Sequence, residues 1–450
     1  MKLRNLFKRI LCERIAAIQQ PVHCMTITEK ACALKKDSPK LASTSIEVRN
    51  KALSNIAEAI KANAAAIFDA NKQDMDAAEQ SGVAPAVMKR LKFGEDKLRS
   101  SVEGIESLIS LPDPLNIVSL KRSLDEGLTL IRSTCPIGVI GVIFEARPDA
   151  LIQISTLCLK SGNCCILKGG SETRRTNKVL FDIIYKAACE SGLPEGCMAQ
   201  AEDRSEISEL LTCDKYVDLL IPRGSNAFVR YIMDNTRITV MGHADGICHI
   251  YVDSEADFDM ALSIIVDAKT QYSAVCNAVE TVLINSKIAD RFLPLLSERL
   301  KDAGVKMNGD KKTAALIGCN EIDENGFKKE YLDKEISLKI VDSEDEAIAH
   351  INSFGSHHTD CIITSNEANK EYFFTMVDSA NVYCNCSTRF ADGFRYGFGA
   401  EVGISTGKMP PRGPVGLEGL VTYKYKMTGE GHLVAPYCDG SKSFHFKDIK

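Results

Sequence analysis

A cysteine that leads from a polar segment into an apolar strand has the clearest potential for covalent chemistry in this chain. Cys276 lies in Lys269-Thr-Gln-Tyr-Ser-Ala-Val-Cys-Asn-Ala-Val-Glu-Thr281, and it is one of 17 cysteines. The thiolate is the reactive form of cysteine, and a helix N-terminus or nearby cations favour it. Composition alone does not separate Cys276 from a small buried hydrophobe, so both interpretations stay open.

A histidine in a glycine turn, His243 in Gly242-His-Ala-Asp-Gly246, is a candidate general base. The same pattern is also typical of a structural histidine, and the sequence does not decide between them. Metal ligands are expected in groups, but no two cysteines have the C-x-x-C spacing of a zinc site. Cys384-Asn-Cys386 has no histidine near it in the sequence, so we predict no metal.

Two glycine turns that carry a cation are candidates for binding phosphate groups. They are Lys168-Gly-Gly-Ser171 and Arg223-Gly-Ser-Asn226, and each follows an apolar run. Backbone N–H groups and the helix dipole converge where a strand leads through glycine into a helix. No G-x-G-x-x-G occurs, because the glycine after Gly397-Phe-Gly399 comes at 403. The turns therefore predict a nucleotide or phosphate site, with ordinary turn glycines as the alternative.

The elements around these turns alternate between strands and helices, which predicts an α/β fold with a parallel sheet and crossover helices. The apolar runs predict strands at 137–144, 164–167, 216–221, 249–252, 282–284, 338–341 and 361–363. Helical periodicity predicts helices at 46–77, 150–160, 176–191 and 227–234. Residues 128–132 and the β-prone 420–425 predict further strands, the latter at an edge or bridging subunits.

Composition limits the classes of function that remain. The 450 residues are 45% hydrophobic and 26% charged, as in a globular protein, with a net charge of −5 that argues against nucleic-acid binding. The longest apolar stretch, at about 137–144, is far shorter than the roughly 20 residues of a membrane helix. Residues 1–30 are basic and amphipathic, which fits either a mitochondrial transit peptide or an extension ahead of Met25. We expect a cytoplasmic protein, with mitochondrial import through residues 1–30 as the alternative.

Six ordered stretches give the chain a resemblance to a known family. They are 142–149 (VIFEARPD), 161–163 with 168–170 (SGN and KGG), 222–225 (PRGS), 242–246 (GHADG), 268–271 with 275–278 (AKTQ and VCNA), and 387–390 with 399–403 (STRF and GAEVG). In order and spacing the chain resembles the gamma-glutamyl phosphate reductases of the aldehyde dehydrogenase superfamily, from about residue 30 to 435.

The resemblance implies an activity and a domain plan. The activity would be NADPH-dependent reduction of L-glutamyl 5-phosphate to L-glutamate 5-semialdehyde, with release of phosphate, in proline biosynthesis. The fold would be aldehyde dehydrogenase-like, with a Rossmann-like NADP-binding domain (31–117 and 134–243) after an N-terminal extension (1–30). An α/β catalytic domain (244–386), a β oligomerisation arm (118–133 and 412–435) and a return segment lining the active site (387–411) would follow. A homo-oligomer is expected, and a glutamate 5-kinase partner is left open.

The resemblance also implies roles for particular residues. Cys276 would be the nucleophile, with its backbone N–H at the developing oxyanion. The oxyanion, phosphate or substrate would be contacted by Glu145, Arg147, Asn277, Ser387, Thr388 and Arg389. The cofactor would be bound by Lys168, Gly169, Gly170, Arg174, Arg223, Gly224, Ser225, Gly242 and His243.

Three departures qualify the resemblance. Ala146 stands where the wider superfamily has an oxyanion-binding asparagine, Met241 where its hydrolytic members have a glutamate base, and Ser273 where a proline is usual. We infer that Arg147 meets the phosphate or the carboxylate, because guanidinium binds both in a bidentate manner. The alternatives are a hydrolytic aldehyde dehydrogenase acting on another substrate and a catalytically silent binding protein on the same fold.

Overall fold

The computed structural model describes residues 25–449, except 84, 204, 244, 400 and 410. Its helices are α1 (Ile27–Ala42), α2 (Ile46–Ala62), α3 (Ala64–Gln80), α4 (Pro85–Leu91), α5 (Glu95–Ser110), α6 (Pro148–Lys160), α7 (Arg174–Glu190), α8 (Ser205–Leu210), α9 (Asn226–Asp234), α10 (Phe258–Thr270), α11 (Ser286–Asp302), α12 (Lys311–Ile317), α13 (Glu344–Phe354), α14 (Glu367–Met376) and α15 (Ala435–Cys438).

Strands alternate with these helices through most of the chain. They are β1 (Val118–Asp125), β2 (Leu128–Pro136), β3 (Val139–Phe144), β4 (Cys164–Lys168), β5 (Met198–Ala201), β6 (Leu219–Arg223), β7 (Cys248–Val252), β8 (Val279–Asn285), β9 (Lys306–Gly309), β10 (Asn320–Glu321), β11 (Glu335–Val341), β12 (Thr359–Ile363), β13 (Asn381–Cys384), β14 (Gly403–Ser405), β15 (Gly413–Val415), β16 (Val421–Thr428) and β17 (Lys447–Asp448).

The chain divides into two compact units. Unit 1 comprises the described residues within Met1–Ile221, Asp234–Val240 and Val421–Lys450, and unit 2 comprises those within Pro222–Met233 and Met241–Leu420. This division follows contacts within each unit. The functional domain boundaries expected from the family resemblance therefore stay a prediction.

Unit 1 contains a sheet of strand order β5-β4-β3-β6, in which β3, β4 and β5 are parallel. Every residue of β3 and β4 is buried, which explains why both read as continuous apolar runs rather than as alternating strands. The helix α6 begins directly after the segment that follows β3, with Pro148 in its first turn. Proline is favoured there because its missing N–H would have no partner inside the helix.

A second sheet of unit 1 is antiparallel, with strand order β16-β2-β1-β17. The strand β16 forms one edge, and its side chains are almost all exposed, including Tyr423, Tyr425 and Met427 at 55–58%. Large exposed side chains on an edge strand, which is paired on one side only, are typical of a surface that another chain covers.

Unit 2 is built on a sheet of strand order β10-β9-β11-β8-β7-β12-β13, in which every neighbouring pair is parallel. Its centre is fully buried at Ile250, Val282 and Leu338, and α10 and α11 pack against one face. The carboxyl ends of parallel strands meet at one edge of a sheet, which is where open α/β folds place their ligands.

Most of the predicted elements are confirmed, with two differences. The helix predicted at 46–77 is two helices, because α2 ends at Asn63 and α3 begins immediately after it. The strand predicted at 216–221 begins only at Leu219, since Tyr216 and Val217 both donate backbone hydrogen bonds to Cys213 in a turn. Of residues 1–30, which carry the transit-peptide prediction, residues 1–24 lie outside the described residues and Ile27–Lys30 form the start of α1. Among the described residues no helix is long and apolar enough to cross a membrane.

Candidate active site

Cys276 lies in the loop between α10 and β8 (residues 271–278), and a buried ion pair joins the two ends of that loop. The ammonium of Lys269 lies 2.8 Å from a carboxylate oxygen of Glu280, and both side chains are completely buried. Burial raises the pKa of Glu280 to about 7, although the charge of Lys269 opposes that rise. The pair holds the end of α10 and the start of β8 together, so it positions the loop that carries Cys276.

The backbone of Cys276 packs directly against Gly246. A Cβ at Gly246 would lie 2.3 Å from the carbonyl oxygen of Cys276 and 2.4 Å from its Cα, so only glycine fits there. The thiol of Cys248 donates a hydrogen bond to the same carbonyl over 3.2 Å. The segment around Gly246 is itself held by Glu330, which accepts from the Gly246 N–H over 3.0 Å.

Asn277 connects the loop to the predicted substrate segment at 387–390. Its side-chain amide donates to the Ala391 carbonyl over 2.8 Å. Its backbone carbonyl accepts from the Thr388 hydroxyl over 2.7 Å. The Ser387 hydroxyl accepts from the backbone N–H of Arg389. The structure therefore brings Cys276, Asn277, Ser387, Thr388 and Arg389 together within unit 2.

Arg389 is the member of this segment that can still donate to a ligand. Its side chain is 8% exposed, and its Nε donates to Gln271 over 3.0 Å. The guanidinium donates no other hydrogen bond to a described residue. Its two terminal nitrogens can therefore bind a carboxylate or a phosphate. Burial, and then the charge of Arg395, lower the pKa of Arg389. Arginine nevertheless stays charged in proteins.

The other described cysteines of unit 2 are poor sources of a thiolate. Burial is the largest cause that raises the thiol pKa of each one: Cys248, Cys319, Cys361, Cys384 and Cys386. Cys276 is partly exposed, as Cys319, Cys384 and Cys386 also are, and it lies near Arg389 and two imidazole rings. Its surroundings, rather than its local sequence, distinguish it.

The two rings belong to His243 and His358. One nitrogen of each ring and the sulfur of Cys276 lie within 4.8 Å of one another, and the rings meet edge to face with centroids 4.8 Å apart. Burial is the largest cause lowering the pKa of His243, which favours its neutral form. His243 could be singled out from the sequence. His358 was missed, because nothing in the sequence just before β12 indicates that this residue lies beside Cys276.

The glycine turn after β6 also lies in unit 2. Arg223 has its Nη1 4.0 Å from a carboxylate oxygen of Glu401, and a Cβ at Gly403 would lie 2.8 Å from the same nitrogen. The chain passes through Gly224 and Ser225 into α9, whose first residue, Asn226, donates to Asp245 over 3.1 Å. Glu401 was not among the predicted site residues, although it stands inside the 399–403 stretch that carried part of the resemblance.

The glycine turn after β4 lies in unit 1 and is built from neighbouring residues. A Cβ at Gly169 would lie 2.1 Å from the Asn177 amide, and one at Gly170 would lie 2.1 Å from the Glu172 carboxylate. Glu172 also accepts from the Ala146 N–H over 2.6 Å. Burial lowers the pKa of Lys168, whose side chain is 3% exposed at the end of β4.

The remaining predicted residues of unit 1 follow β3 and the turn after β4. Glu145 and Arg147 flank Ala146, which adopts a left-handed conformation with φ 49°. That conformation is costly for a residue with a Cβ and is frequent at functional sites. Arg174, at the start of α7, lies 3.3 Å from both Glu202 and Asp203 and stays about half exposed.

Comparisons with known proteins place the chain in a family. A model of the aldehyde dehydrogenase family matches residues 18–326. The chain is 53% identical to the gamma-glutamyl phosphate reductase of Acetivibrio thermocellus, over 93% of this chain and 97% of the relative. It is 54% identical to that of Pelotomaculum thermopropionicum, over 94% of this chain and 98% of the relative.

Solved structures agree with these relatives. The fold matches the crystal structure of gamma-glutamyl phosphate reductase from Thermotoga maritima with a TM-score of 0.88 and 37% identity, over 90% of this chain and 99% of that one. An acetylating aldehyde dehydrogenase from Geobacillus thermoglucosidasius shares the fold at 15% identity, with a TM-score of 0.61 over 90% of this chain and 96% of that one. The predicted aldehyde dehydrogenase-like fold is confirmed, and the chain belongs to the gamma-glutamyl phosphate reductase family, within the aldehyde dehydrogenase family.

Proposed function

We propose that the protein reduces L-glutamyl 5-phosphate to L-glutamate 5-semialdehyde with NADPH, releasing phosphate, as a step of proline biosynthesis. Membership of the family supports the reaction. The observation that carries the mechanism is the environment of Cys276, a partly exposed cysteine near Arg389 and two imidazole rings, whose backbone packs against Gly246.

Cys276 acts as the nucleophile in this proposal. Its thiolate forms a bond to the acyl carbon of glutamyl phosphate, the bond from that carbon to the phosphate oxygen breaks, and a thioester remains on Cys276. The backbone N–H of Cys276 is the candidate hydrogen-bond donor to the oxyanion that develops on the acyl oxygen during this attack. The side-chain amide of Asn277 already donates to Ala391, so Asn277 supports the loop.

The residues of the two glycine turns fit a phosphorylated nicotinamide cofactor, which when bound supplies the hydride that reduces the thioester. Gly169 and Gly170 are required because Asn177 and Glu172 pack directly against their backbone, and Lys168 brings a buried cation to the end of β4. Arg223, Gly224 and Ser225 make the second turn, with Gly242 and His243 also in unit 2. Specificity for NADP is supported by Arg174, a half-exposed cation at the start of α7.

Glu172 is the residue of this turn that could oppose a preference for NADP, because an acid at this position can bind a free ribose hydroxyl. Its carboxylate accepts from the Ala146 N–H over 2.6 Å and folds against Gly170. Through this contact Glu172 orders the turn, although its carboxylate has further lone pairs that could accept from a ribose hydroxyl.

We assign the α-carboxylate of the substrate to Arg389 and the phosphate to Arg147. The Thr388 hydroxyl donates a hydrogen bond to the backbone carbonyl of Asn277, and the Ser387 hydroxyl accepts one from the backbone N–H of Arg389, so both support the segment. The two terminal nitrogens of Arg389 have the fork geometry that a carboxylate binds. Arg147 follows the left-handed Ala146, whose conformation sets the direction of that segment, with Glu145 on its other side.

A hydrolytic reaction is the alternative that Met241 disfavours. Met241 is 4% exposed and has no group that could accept a proton from water. Without a base at this position, the thioester on Cys276 is protected from hydrolysis, which suits a reductase that must not discard an activated substrate.

Three further expectations remain proposals. The exposed edge strand β16, which lies in the predicted arm, supports a homo-oligomer. A glutamate 5-kinase partner that delivers the labile acyl phosphate is compatible with the substrate. Cytoplasmic location is proposed, with import through residues 1–30 as its alternative.

The test compares Cys276→Ala with Cys438→Ala, which removes an exposed cysteine of unit 1. NADPH formation is followed with glutamate semialdehyde, NADP and phosphate. We expect no measurable turnover for Cys276→Ala, unchanged cofactor binding in both variants, and normal turnover for Cys438→Ala. Near-normal turnover of Cys276→Ala would refute the proposed nucleophile.

A further inference from the structure

Two histidines flank Cys276 closely enough to share a ligand with it. One nitrogen from each of His243 and His358 and the sulfur of Cys276 lie within 4.8 Å of one another. We propose that these three side chains bind one zinc ion, and that the bound ion reversibly blocks Cys276. The binding does not depend on the proposed reaction, because it uses only side chains of this chain.

Each imidazole is already oriented as a metal ligand would be. The Nδ1 of His243 lies 2.8 Å from the Ile404 carbonyl, and because a carbonyl only accepts, Nδ1 carries the proton. The Nδ1 of His358 lies 2.8 Å from the Thr359 hydroxyl. Histidines that bind metals commonly donate their other ring nitrogen to a backbone carbonyl or a similar group. Both rings are therefore held through Nδ1. In His358 the Thr359 hydroxyl must accept from Nδ1–H for Nε2 to bind a metal, because that hydroxyl can donate as well as accept.

The Nε2 of His358 is a polar atom whose place in the fold is otherwise unexplained. His358 is completely buried, and its Nε2 has no hydrogen-bond partner among the described residues. A buried polar atom without a partner costs about 1–3 kcal/mol. A metal ion shared with Cys276 and His243 would satisfy it, and both of those residues are partly exposed, which gives an ion access to the cluster.

The donor set selects the kind of ion. Thiolate and imidazole suit zinc, whereas magnesium prefers oxygen ligands. The bond lengths of tetrahedral zinc place its ligand atoms roughly 3.3–3.6 Å apart, so the cluster would close by about 1 Å on binding. Three protein ligands would leave one position for water.

Zinc binding would block the chemistry of Cys276 because the metal bonds to its thiolate sulfur. On binding, the Cys276 thiol loses its proton to solvent, and its sulfur forms a bond to zinc with the electron pair that would otherwise attack the substrate. The zinc-bound sulfur cannot attack an acyl phosphate or an alkylating reagent until the ion leaves. The metal would therefore inhibit the enzyme and shield its nucleophile from oxidation.

Alkylation tests the site without any assay of activity. The protein is treated with iodoacetamide in the presence of zinc chloride, magnesium chloride or a chelator, and modification of the Cys276 and Cys438 peptides is quantified by mass spectrometry. The variants are His243→Ala and His358→Ala, with His445→Asn as the control, since His445 lies exposed in unit 1. The exposed Cys438 serves as the internal reference in every sample.

We expect zinc to slow alkylation of Cys276 relative to Cys438, magnesium to have no effect, and the chelator to restore the rate. Loss of even an outer-shell partner weakens metal binding 10–100-fold, so removal of either histidine should raise the protecting zinc concentration at least about tenfold. His445→Asn should behave as the wild type. His243→Ala provides an independent test should His358→Ala fail to fold. Equal protection in wild type and His243→Ala, equal protection by magnesium, or no protection by zinc would overturn the proposal.

Discussion

The turn after β4 in unit 1 and the loop before β8 in unit 2 are both predicted to take part in the reaction, but they are built in opposite ways. The groups packed against the two glycines of the first, from Asn177 and Glu172, lie within ten residues of sequence, although Asp74 also accepts hydrogen bonds from Thr176 at the start of α7. The second is fixed by Gly246 and Thr388, which come from separate segments of unit 2, in addition to the Lys269–Glu280 pair across its own base. A locally built site can be read from its own sequence, whereas a site assembled from distant segments needs the fold.

The largest expected effect is the loss of stability when the buried ion pair at the two ends of the Cys276 loop is broken. In Lys269→Met the carboxylate of Glu280 stays buried without its partner, and breaking such a pair typically costs about 3–5 kcal/mol. Urea denaturation should show a loss of that size, and the double variant Lys269→Met with Glu280→Met should recover most of it. The control Lys306→Met removes an exposed pair with Glu335 and should cost less than about 1 kcal/mol. A small loss in Lys269→Met would mean that the pair does not hold the loop.

The next effect tests the packing of Gly246 against Cys276. A Cβ in Gly246→Ala would overlap the Cys276 backbone at 2.3–2.5 Å, so the loop must move. Displacement of a reacting group by about 1 Å can cost roughly 100-fold in rate, so kcat should fall by about that factor. The control Gly104→Ala, in α5 with no atom within 4 Å of the new Cβ, should keep its activity. Normal kcat in Gly246→Ala would show that the nucleophile tolerates a shifted loop.

The smallest effect concerns the locally built turn of unit 1. Arg174→Ala removes the cation that we assign to the 2′-phosphate of NADP, and a charge-assisted hydrogen bond contributes about 1.5–3 kcal/mol. Because Arg174 is half exposed and shared with Glu202 and Asp203, we expect the lower end, about a tenfold loss of kcat/KM with NADPH and little change with NADH. Lys178→Ala, farther along α7, is the control. Equal losses with both cofactors would remove Arg174 from the specificity assignment.

Much of the fold could be predicted because its signals are local. The buried strands β3 and β4 are continuous apolar runs bounded by glycine, and their positions follow directly from the sequence. The break at Asn63 was missed because the apolar spacing continues across it, with Ile60 and Ile67 both fully buried. Strand β6 was predicted three residues too early because the apolar Val217 lies in a turn.

The candidate site was predicted only in part, because most of its contacts are not local in sequence. Cys276 and His243 were singled out from their local sequence, but only the family resemblance separated them from their structural alternatives and added Arg389. His358 and Glu280 were missed. His358 is notable for a buried ring nitrogen and Glu280 for a buried ion pair, and neither property is visible in a single sequence. Such residues become recognisable only when the sheet of unit 2 brings β7, β8 and β12 side by side.

The dependence of the reverse reaction on phosphate tests the central claim most directly. Oxidation of glutamate semialdehyde leaves a thioester on Cys276, and a positioned base would speed its hydrolysis by roughly 10²–10⁴-fold. Met241 supplies no such base, so NADPH formation should continue after the first turnover only when inorganic phosphate is present. Sustained formation at the same rate without phosphate would contradict the account and indicate a hydrolytic dehydrogenase.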